Sequence, residues 1–244
     1  MRDDYYIGGI HAVESAISAG RPISKIFISS EVNRGRVKEL TQKAKNEGVL
    51  IVKADPRRLN EMLPDIRHQG VVALASPVTF KSIDEMLDLA KSKNEDPFLV
   101  IAEGVEDPRN LGAIIRSAEC FGVHGVIIPR RSSSPVTSVV AKTAAGALER
   151  VWVAQVGNIS QELEKLKRAG VWIAGMALEN SREMSKENLT GPIALVLGNE
   201  GKGISRLVAE KCDYLVHIPM RGEVGSLNVS VAAGIGLYEI QKQR

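Results

Sequence analysis

Apolar runs of strand length alternate with amphipathic stretches through residues 1–76, and this alternation predicts a compact α/β unit. One predicted helix carries its own start signal, because Asp55 is a good N-cap residue and a proline follows it. Another ends at a glycine, as helices often do. The predicted elements are, in order, helix 11–19, strand 24–29, helix 36–48, strand 49–54, helix 55–63 and strand 70–76.

A second and larger α/β unit is predicted for residues 97–244, after a polar, proline-bounded stretch at 77–96 that suits a linker or connecting helix. Its apolar runs are nearly continuous, which is typical of a parallel sheet covered by helices on both faces. The predicted strands are 98–103, 125–129, 151–156, 171–178, 193–200 and 214–219. The predicted helices are 110–122, 135–149, 159–170, a short one after Gly203 and a final one from Ser226.

The composition narrows the class of protein only slightly. Of the 244 residues, 44% are hydrophobic and 25% charged, as in ordinary globular proteins. No apolar run is long enough to span a membrane, and the acidic N-terminus is unlike a secretory signal, so we expect a cytoplasmic protein. The net charge of +3 permits binding to a polyanion without requiring it. The four histidines lack metal-ligand spacing, and Cys120 and Cys212 are expected to be buried small side chains, so no metal is expected.

Candidate chemistry lies where strands end, since ligands of parallel sheets bind beyond the carboxyl ends of the strands. After strand 98–103, Asp107 and Pro108 begin a helix that carries Asn110 and Arg116. These two positions lie about 240° apart around a regular helix, so they share a surface only if Asn110 sits at the helix entry. The alternative is that Asn110 caps the helix and Arg116 pairs with a surface acid.

The second junction, GNEGKG at 198–203, has three glycines in six residues. Such spacing lets the backbone approach a ligand closely, although the sequence matches neither the phosphate-loop nor the dinucleotide-binding pattern. Glu200 would suit a ligand hydroxyl or amine better than a phosphate. The alternative is a plain surface turn.

The third junction is the polar loop after strand 214–219, where Ser226 precedes a helix rich in alanine and glycine. Ser226 is a natural N-cap, and capping alone could explain it. Asn228 would then fall inside the helix, where asparagine is unfavourable. Its presence therefore favours a functional role.

Taken together, DPRNLGAIIRSAECFG, LVLGNEGKGIS and IPMRGEVGSLNVSVAAGIGLYE resemble, in order and spacing, the three motifs of the SpoU (TrmH) family of RNA ribose 2′-O-methyltransferases, part of the SPOUT superfamily. IGGIHAVESAI and RHQGVVA are similar to the L30e-like substrate-binding domain of the RlmB-type enzymes, which act on a guanosine of 23S rRNA. The resemblance implies an L30e-like RNA-binding domain at 1–76, a linker at 77–96 and a methyltransferase domain with a deep trefoil knot at 97–244. It also implies a homodimer with the active site at the interface.

The same resemblance implies a set of site residues. The polar motif positions, expected to be catalytic, are Asn110, Arg116, Glu200, Ser226 and Asn228. The positions expected to contact S-adenosylmethionine are Gly198, Ile218, Leu227, Ala177 and Met220. In related tRNA enzymes the arginine is proposed as general base, but a guanidinium with a pKa above about 12 could equally act electrostatically on a phosphate and the developing alkoxide.

Two alternatives remain beside an rRNA guanosine methyltransferase, and a third is ruled out. A tRNA ribose methyltransferase would generally lack the front domain, and a non-catalytic RNA-binding assembly factor would not need all five polar residues. An ordinary Rossmann enzyme would need a glycine fingerprint that is missing after the first strand. Gly225 and Arg221 depart from the family pattern, which puts the substrate contacts in question more than the reaction.

Overall fold

A computed structural model describes residues 6–33, 35, 37–64, 67–222 and 225–244. These residues form two compact units. The first comprises the described residues up to 79 together with 135–138, and the second comprises 80–134 and 139–244. Two details of the predictions, the helix start at residue 36 and the loop positions 223 and 224, lie outside the described residues.

The first unit is a four-stranded sheet with helices packed against it, and the predicted elements are confirmed within a few residues. Its strands are β1 (Tyr6–Gly8), β2 (Ile23–Ser29), β3 (Leu50–Ala54) and β4 (Val71–Ala75). Its helices are α1 (Ile10–Ser18), α2 (Lys38–Asn46) and α3 (Pro56–Met62). The strand β1 was not predicted, because three half-buried residues leave no recognisable period.

Sheet order in this unit is β1-β4-β2-β3, with β4 antiparallel to both neighbours and β2 parallel to β3. One face of the sheet packs its isoleucines and valines against α1 and α2, and the other face packs Phe27 with Leu59 of α3. Asp55 caps α3 as predicted, since its Oδ1 accepts a hydrogen bond from the amide of Arg57 at 2.8 Å.

The second unit contains a seven-stranded sheet flanked by helices. Its strands are β5 (Phe98–Ala102), β6 (Gly125–Pro129), β7 (Trp152–Val156), β8 (Trp172–Met176), β9 (Arg182–Glu183), β10 (Ile193–Leu197) and β11 (Tyr214–His217). Its helices are α4 (Ile83–Ser92), α5 (Pro108–Cys120), α6 (Ser138–Ala144), α7 (Ile159–Arg168), α8 (Arg206–Ala209) and α9 (Val229–Gln243). None of the described helices combines the length and apolar character needed to cross a membrane.

All strand pairs of this sheet are parallel, in the order β7-β6-β5-β10-β8-β11-β9. The central strands β5 and β10 are buried along their whole length, which explains their unbroken apolar sequence. After β7 the chain crosses to the other side of β5, and β10 later returns between β5 and β8. The strand order therefore reverses at β5, and ligands of parallel sheets bind where the strand order reverses. The expected ligand edge is formed by the carboxyl ends of β5, β10, β8 and β11.

Three local predictions are corrected or refined by the structure. The predicted helix 135–149 is shorter, because Ala145 and Gly146 adopt positive φ angles of 49° and 89° that end α6 before a short 3-10 turn at Ala147–Glu149. The final helix begins at Val229, three residues after the predicted start. The stretch 77–96 contains α4, whose Ile83 and Met86 pack in the core of the second unit.

Candidate active site

A cavity of about 650 Å³ opens at the carboxyl ends of β8, β10 and β11. Its walls are the segments that leave these strands, completed by the start of α9. Such an edge is where parallel sheets bind ligands. The cavity is lined by residues 176–180, 197–204, 209, 215–218, 220, 225–227, 229 and 232.

All the residues that the sequence assigned to cofactor contact line this cavity, namely Ala177, Gly198, Ile218, Met220 and Leu227. Of the predicted catalytic residues, Glu200 and Ser226 line it as well. Asn110, Arg116 and Asn228 are not part of the lining. The structure brings two of these three to the cavity rim through Glu200, as described below.

Gly198 is the tightest point of the cavity wall. A Cβ at this position would lie 2.1 Å from the carbonyl carbon of Gly203 and 2.2 Å from the amide nitrogen of Ile204. Both are backbone atoms, which cannot rotate away as a side chain could. Only glycine therefore permits this approach between the end of β10 and the far side of its loop.

The loop after β10 is closed by Asn199, which sequence reasoning did not single out. Its backbone amide and carbonyl form two hydrogen bonds of 2.9 Å with Gly203. Its side-chain amide donates to the carbonyl oxygen of Gly104 at 3.0 Å, and its Oδ1 accepts from the amide of Gly201 at 2.9 Å. The loop is thus a clamped turn tied to the end of β5. The presence of an asparagine in a glycine-rich turn was the available signal.

A three-residue hydrogen-bond network joins the three sequence motifs. The side-chain amide of Asn110 donates to Glu200 Oε1 at 2.5 Å, and that of Asn228 donates to the same oxygen at 2.8 Å. Asn228 Nδ2 also lies 3.1 Å from Asn110 Oδ1. Within the described residues, Glu200 Oε2 has no hydrogen-bond partner and stays available to a ligand.

The position of Asn110 explains how it reaches Glu200. Asp107 caps α5 by accepting a hydrogen bond from the amide of Arg109 at 2.6 Å, so Asn110 falls in the first turn of the helix. The helix-entry arrangement anticipated from the sequence is therefore present. The alternative, in which Asn110 itself caps the helix, is wrong because Asp107 does so.

Asn228, and not Ser226, is the N-cap of α9. Its Oδ1 accepts from the amide of Ser230 at 2.9 Å and from that of Val231 at 3.4 Å, while its Nδ2 faces Glu200. One side chain thus uses its acceptor for the helix and its donor for the network. The prediction that Ser226 caps the helix is wrong. Ser226 instead lies exposed in the loop as part of the cavity wall.

Arg116 lies apart from this network. It is exposed on α5, and no hydrogen bond or ion pair joins its side chain to another described residue. The alternative of a pair with a surface acid therefore has no support in the described part of the chain. The helix that carries Arg116, α5, packs against α9, with the rings of Phe121 and Tyr238 at 6.2 Å.

The cysteines behave differently from one another. Cys212 packs under the sheet, where burial first and the neighbouring Asp213 second raise its pKa to about 12. It is therefore a neutral thiol, although it is only partly buried where the sequence predicted burial. Cys120 is exposed at the end of α5, so the prediction that it is buried is wrong. Among the described residues, no cluster of three potential ligands could hold a metal ion.

Comparison with known protein families gives two matches that together span most of the chain. Residues 97–238 match the family described as SpoU rRNA methylase. Residues 6–81 match the family described as RNA 2′-O ribose methyltransferase substrate binding.

Individual relatives agree with these matches. The chain is 38% identical over its whole length to YacO of Bacillus subtilis, named as a TrmH family tRNA/rRNA methyltransferase, and covers 97% of it. Among solved structures, the AdoMet-bound rRNA methyltransferase from Sinorhizobium meliloti has a TM-score of 0.61 at 22% identity, covering 98% of this chain and 87% of that one. The TrmH/SpoU tRNA modifying enzyme of A. aeolicus has a TM-score of 0.56 at 30% identity, covering 66% of this chain and 83% of that one.

Proposed function

Because the chain belongs to the SpoU methylase family of RNA methyltransferases, we propose that it transfers a methyl group from S-adenosylmethionine to the 2′-hydroxyl of a ribose in RNA, with a guanosine of 23S rRNA as its target. The observation that carries this proposal is the network of Asn110, Glu200 and Asn228 at the rim of the cavity. It joins three distant segments of the chain at the ligand edge of a parallel sheet. A polar network at this exposed edge is not required to stabilise the fold.

The cavity suits S-adenosylmethionine in size and in the character of its walls. Its volume of about 650 Å³ is within the usual range of small-molecule sites. The close backbone approach at Gly198 leaves main-chain groups to face a ligand, and Ile218 and Leu227 supply apolar surface. We expect these three residues to hold the adenosine part, with Ala177 and Met220 completing the walls. The cofactor supplies an electrophilic methyl group on a sulfonium.

The residues of the chain then have to position a weak nucleophile, the ribose hydroxyl. Two amide donors hold one oxygen of Glu200, which fixes the carboxylate and leaves its second oxygen to accept a hydrogen bond from a substrate hydroxyl or amino group. Ser226 offers a further exposed hydroxyl in the same wall. Arg116 retains its proton in this scheme and stabilises the flanking phosphate and the developing alkoxide, while the proton of the hydroxyl would pass to solvent at the exposed rim of the cavity.

We further propose that two copies of the chain form the active unit. Val231, Ile235 and Tyr238 are 49%, 40% and 56% exposed and follow one another at helical spacing on α9. An apolar stripe on a helix whose other side is buried is suited to a second copy. Because Arg116 is exposed on α5, which packs against α9, and does not line the cavity of its own chain, we assign it to the site of the partner subunit.

Two further features belong to the proposal. The first unit matches the substrate-binding family, and we propose that it binds the RNA. An rRNA substrate is favoured over tRNA because the neighbour described as an rRNA methyltransferase covers 98% of this chain, whereas the tRNA modifying enzyme covers 66%. We also propose that the chain around β10 and β11 forms the trefoil knot expected of this family.

The test is methyl transfer from labelled S-adenosylmethionine to 23S rRNA, 16S rRNA and bulk tRNA, followed by mapping of the modified nucleotide. We expect label only in 23S rRNA, on the 2′-oxygen of one guanosine. Label in tRNA would refute the substrate assignment and leave the reaction intact. Binding of the cofactor without transfer to any of the three RNAs would refute the proposed activity toward them.

A further inference from the structure

His217 is a histidine of the cavity that the three family motifs and the proposed chemistry leave unused. It is the last residue of β11, and it lines the cavity. Its Nδ1 lies 3.0 Å from the hydroxyl oxygen of Ser181, which is not part of the lining. His217 therefore lines the cavity, while its ring has a fixed partner outside the lining.

The hydrogen bonds of Ser181 determine which tautomer of His217 is present. The Ser181 hydroxyl has one hydrogen, and it is 3.0 Å from both the Leu178 carbonyl oxygen and the His217 ring. If the hydroxyl donated to the ring, the serine oxygen would face the carbonyl oxygen of Leu178 with no hydrogen between them. If it donates to the carbonyl, Nδ1–H of His217 donates to the serine, and both contacts are satisfied. The neutral ring then carries its proton on Nδ1 and has a free lone pair on Nε2.

We propose that Nε2 of His217 accepts a hydrogen bond from an amino or hydroxyl group of bound S-adenosylmethionine, and that Ser181 fixes the tautomer which makes this possible. The inference rests on the cofactor assigned above. Adenine, ribose and the ammonium group of this cofactor all carry donors, and within the described residues Nε2 has no other partner. A neutral acceptor also avoids placing a second positive charge beside a cofactor that already has a sulfonium.

The experiment measures binding of S-adenosylmethionine and S-adenosylhomocysteine to the full chain by calorimetry at about pH 8. H217N keeps a polar group near Ser181 but has nothing at the Nε2 position, so it should bind both ligands roughly tenfold more weakly than the wild type, the effect of one hydrogen bond. H217Q places an amide oxygen near that position and should retain most of the affinity of the wild type.

H11N is the matched control, because it makes the same substitution at a histidine that is 93% exposed in the first unit, and it should behave as the wild type. If H217N does not fold, S181A provides a second measurement: it releases the tautomer and should weaken binding by roughly threefold at pH 8. Equal affinity of the wild type and both His217 variants would overturn the inference and leave the proposed function standing. Failure of the wild type to bind either ligand would overturn both.

Discussion

Asn228 has two separate roles, and two substitutions can separate them. Its Oδ1 caps α9 and its Nδ2 donates to Glu200 and Asn110. N228S keeps an oxygen that can cap the helix but removes the donor to the network, whereas N228A removes both. We expect the two variants to lose the same amount of methyltransferase activity and to differ in thermal stability.

The expected magnitudes follow from the two kinds of contact. Loss of an asparagine cap costs about 1 kcal/mol, which for a unit of this size lowers Tm by about 2–4 °C in N228A and by little in N228S. A hydrogen bond to a charged acceptor contributes about 1.5–3 kcal/mol. Glu200 keeps its bond from Asn110 and the site is exposed, so the lower figure applies. It corresponds to a loss of roughly tenfold in kcat for both variants.

The assay is single-turnover methyl transfer at saturating cofactor, with Tm measured on the same preparations. N158A is the matched control, because Asn158 caps α7 through its bond to the amide of Gln161 but takes no part in the network. It should lower Tm with no change in turnover. Wild-type turnover in N228S would refute the role of the donor, and an unchanged Tm in N228A would refute the role of the cap.

Three other predictions follow from the structure. G198A should lower the affinity for the cofactor at least tenfold, since its Cβ would overlap backbone atoms, whereas G222A, with open space around its Cβ, should bind as the wild type does. Equal affinities of the two variants in calorimetry would contradict this reasoning. If Arg116 acts in the site of the partner subunit, mixing inactive R116A with N228S should restore activity at up to about a quarter of the sites, because each mixed dimer contains one intact site. No recovery of activity after subunit exchange would place Arg116 in the site of its own chain. Burial lowers the pKa of His124, whose Nδ1 accepts a hydrogen bond from the amide of Phe98, so the unfolded chain binds a proton more readily than the folded chain. The stability of the fold should therefore decrease as the pH drops below about 6.5, and the urea midpoint should decline more in the wild type than in H124N between about pH 7.5 and 5.5.

Local signals in the sequence were sufficient wherever one short segment decides its own conformation. The proline-flanked aspartates Asp55 and Asp107 begin helices as predicted, since a cap involves only neighbouring residues. The unbroken apolar runs of β5 and β10 likewise determined that these strands are buried on both faces. The start of the final helix was misplaced because Ser226 and Asn228 are both good caps, and only the path of the loop selects between them.

The tertiary structure decided everything that depends on distance across the chain. Asn110, Glu200 and Asn228 are separated by 28 to 118 positions in sequence. No periodic pattern in the sequence indicates that both asparagines donate to the same carboxylate oxygen of Glu200. The sequence motifs named these residues, but the order of the strands places their loops together. The same holds for position 198, where only glycine fits because the backbone of Gly203, five residues later in the chain, comes back against it. His217 and Ser181 gave no signal at all, because a hydrogen bond that fixes a tautomer exists only once two strands of the sheet have been brought side by side.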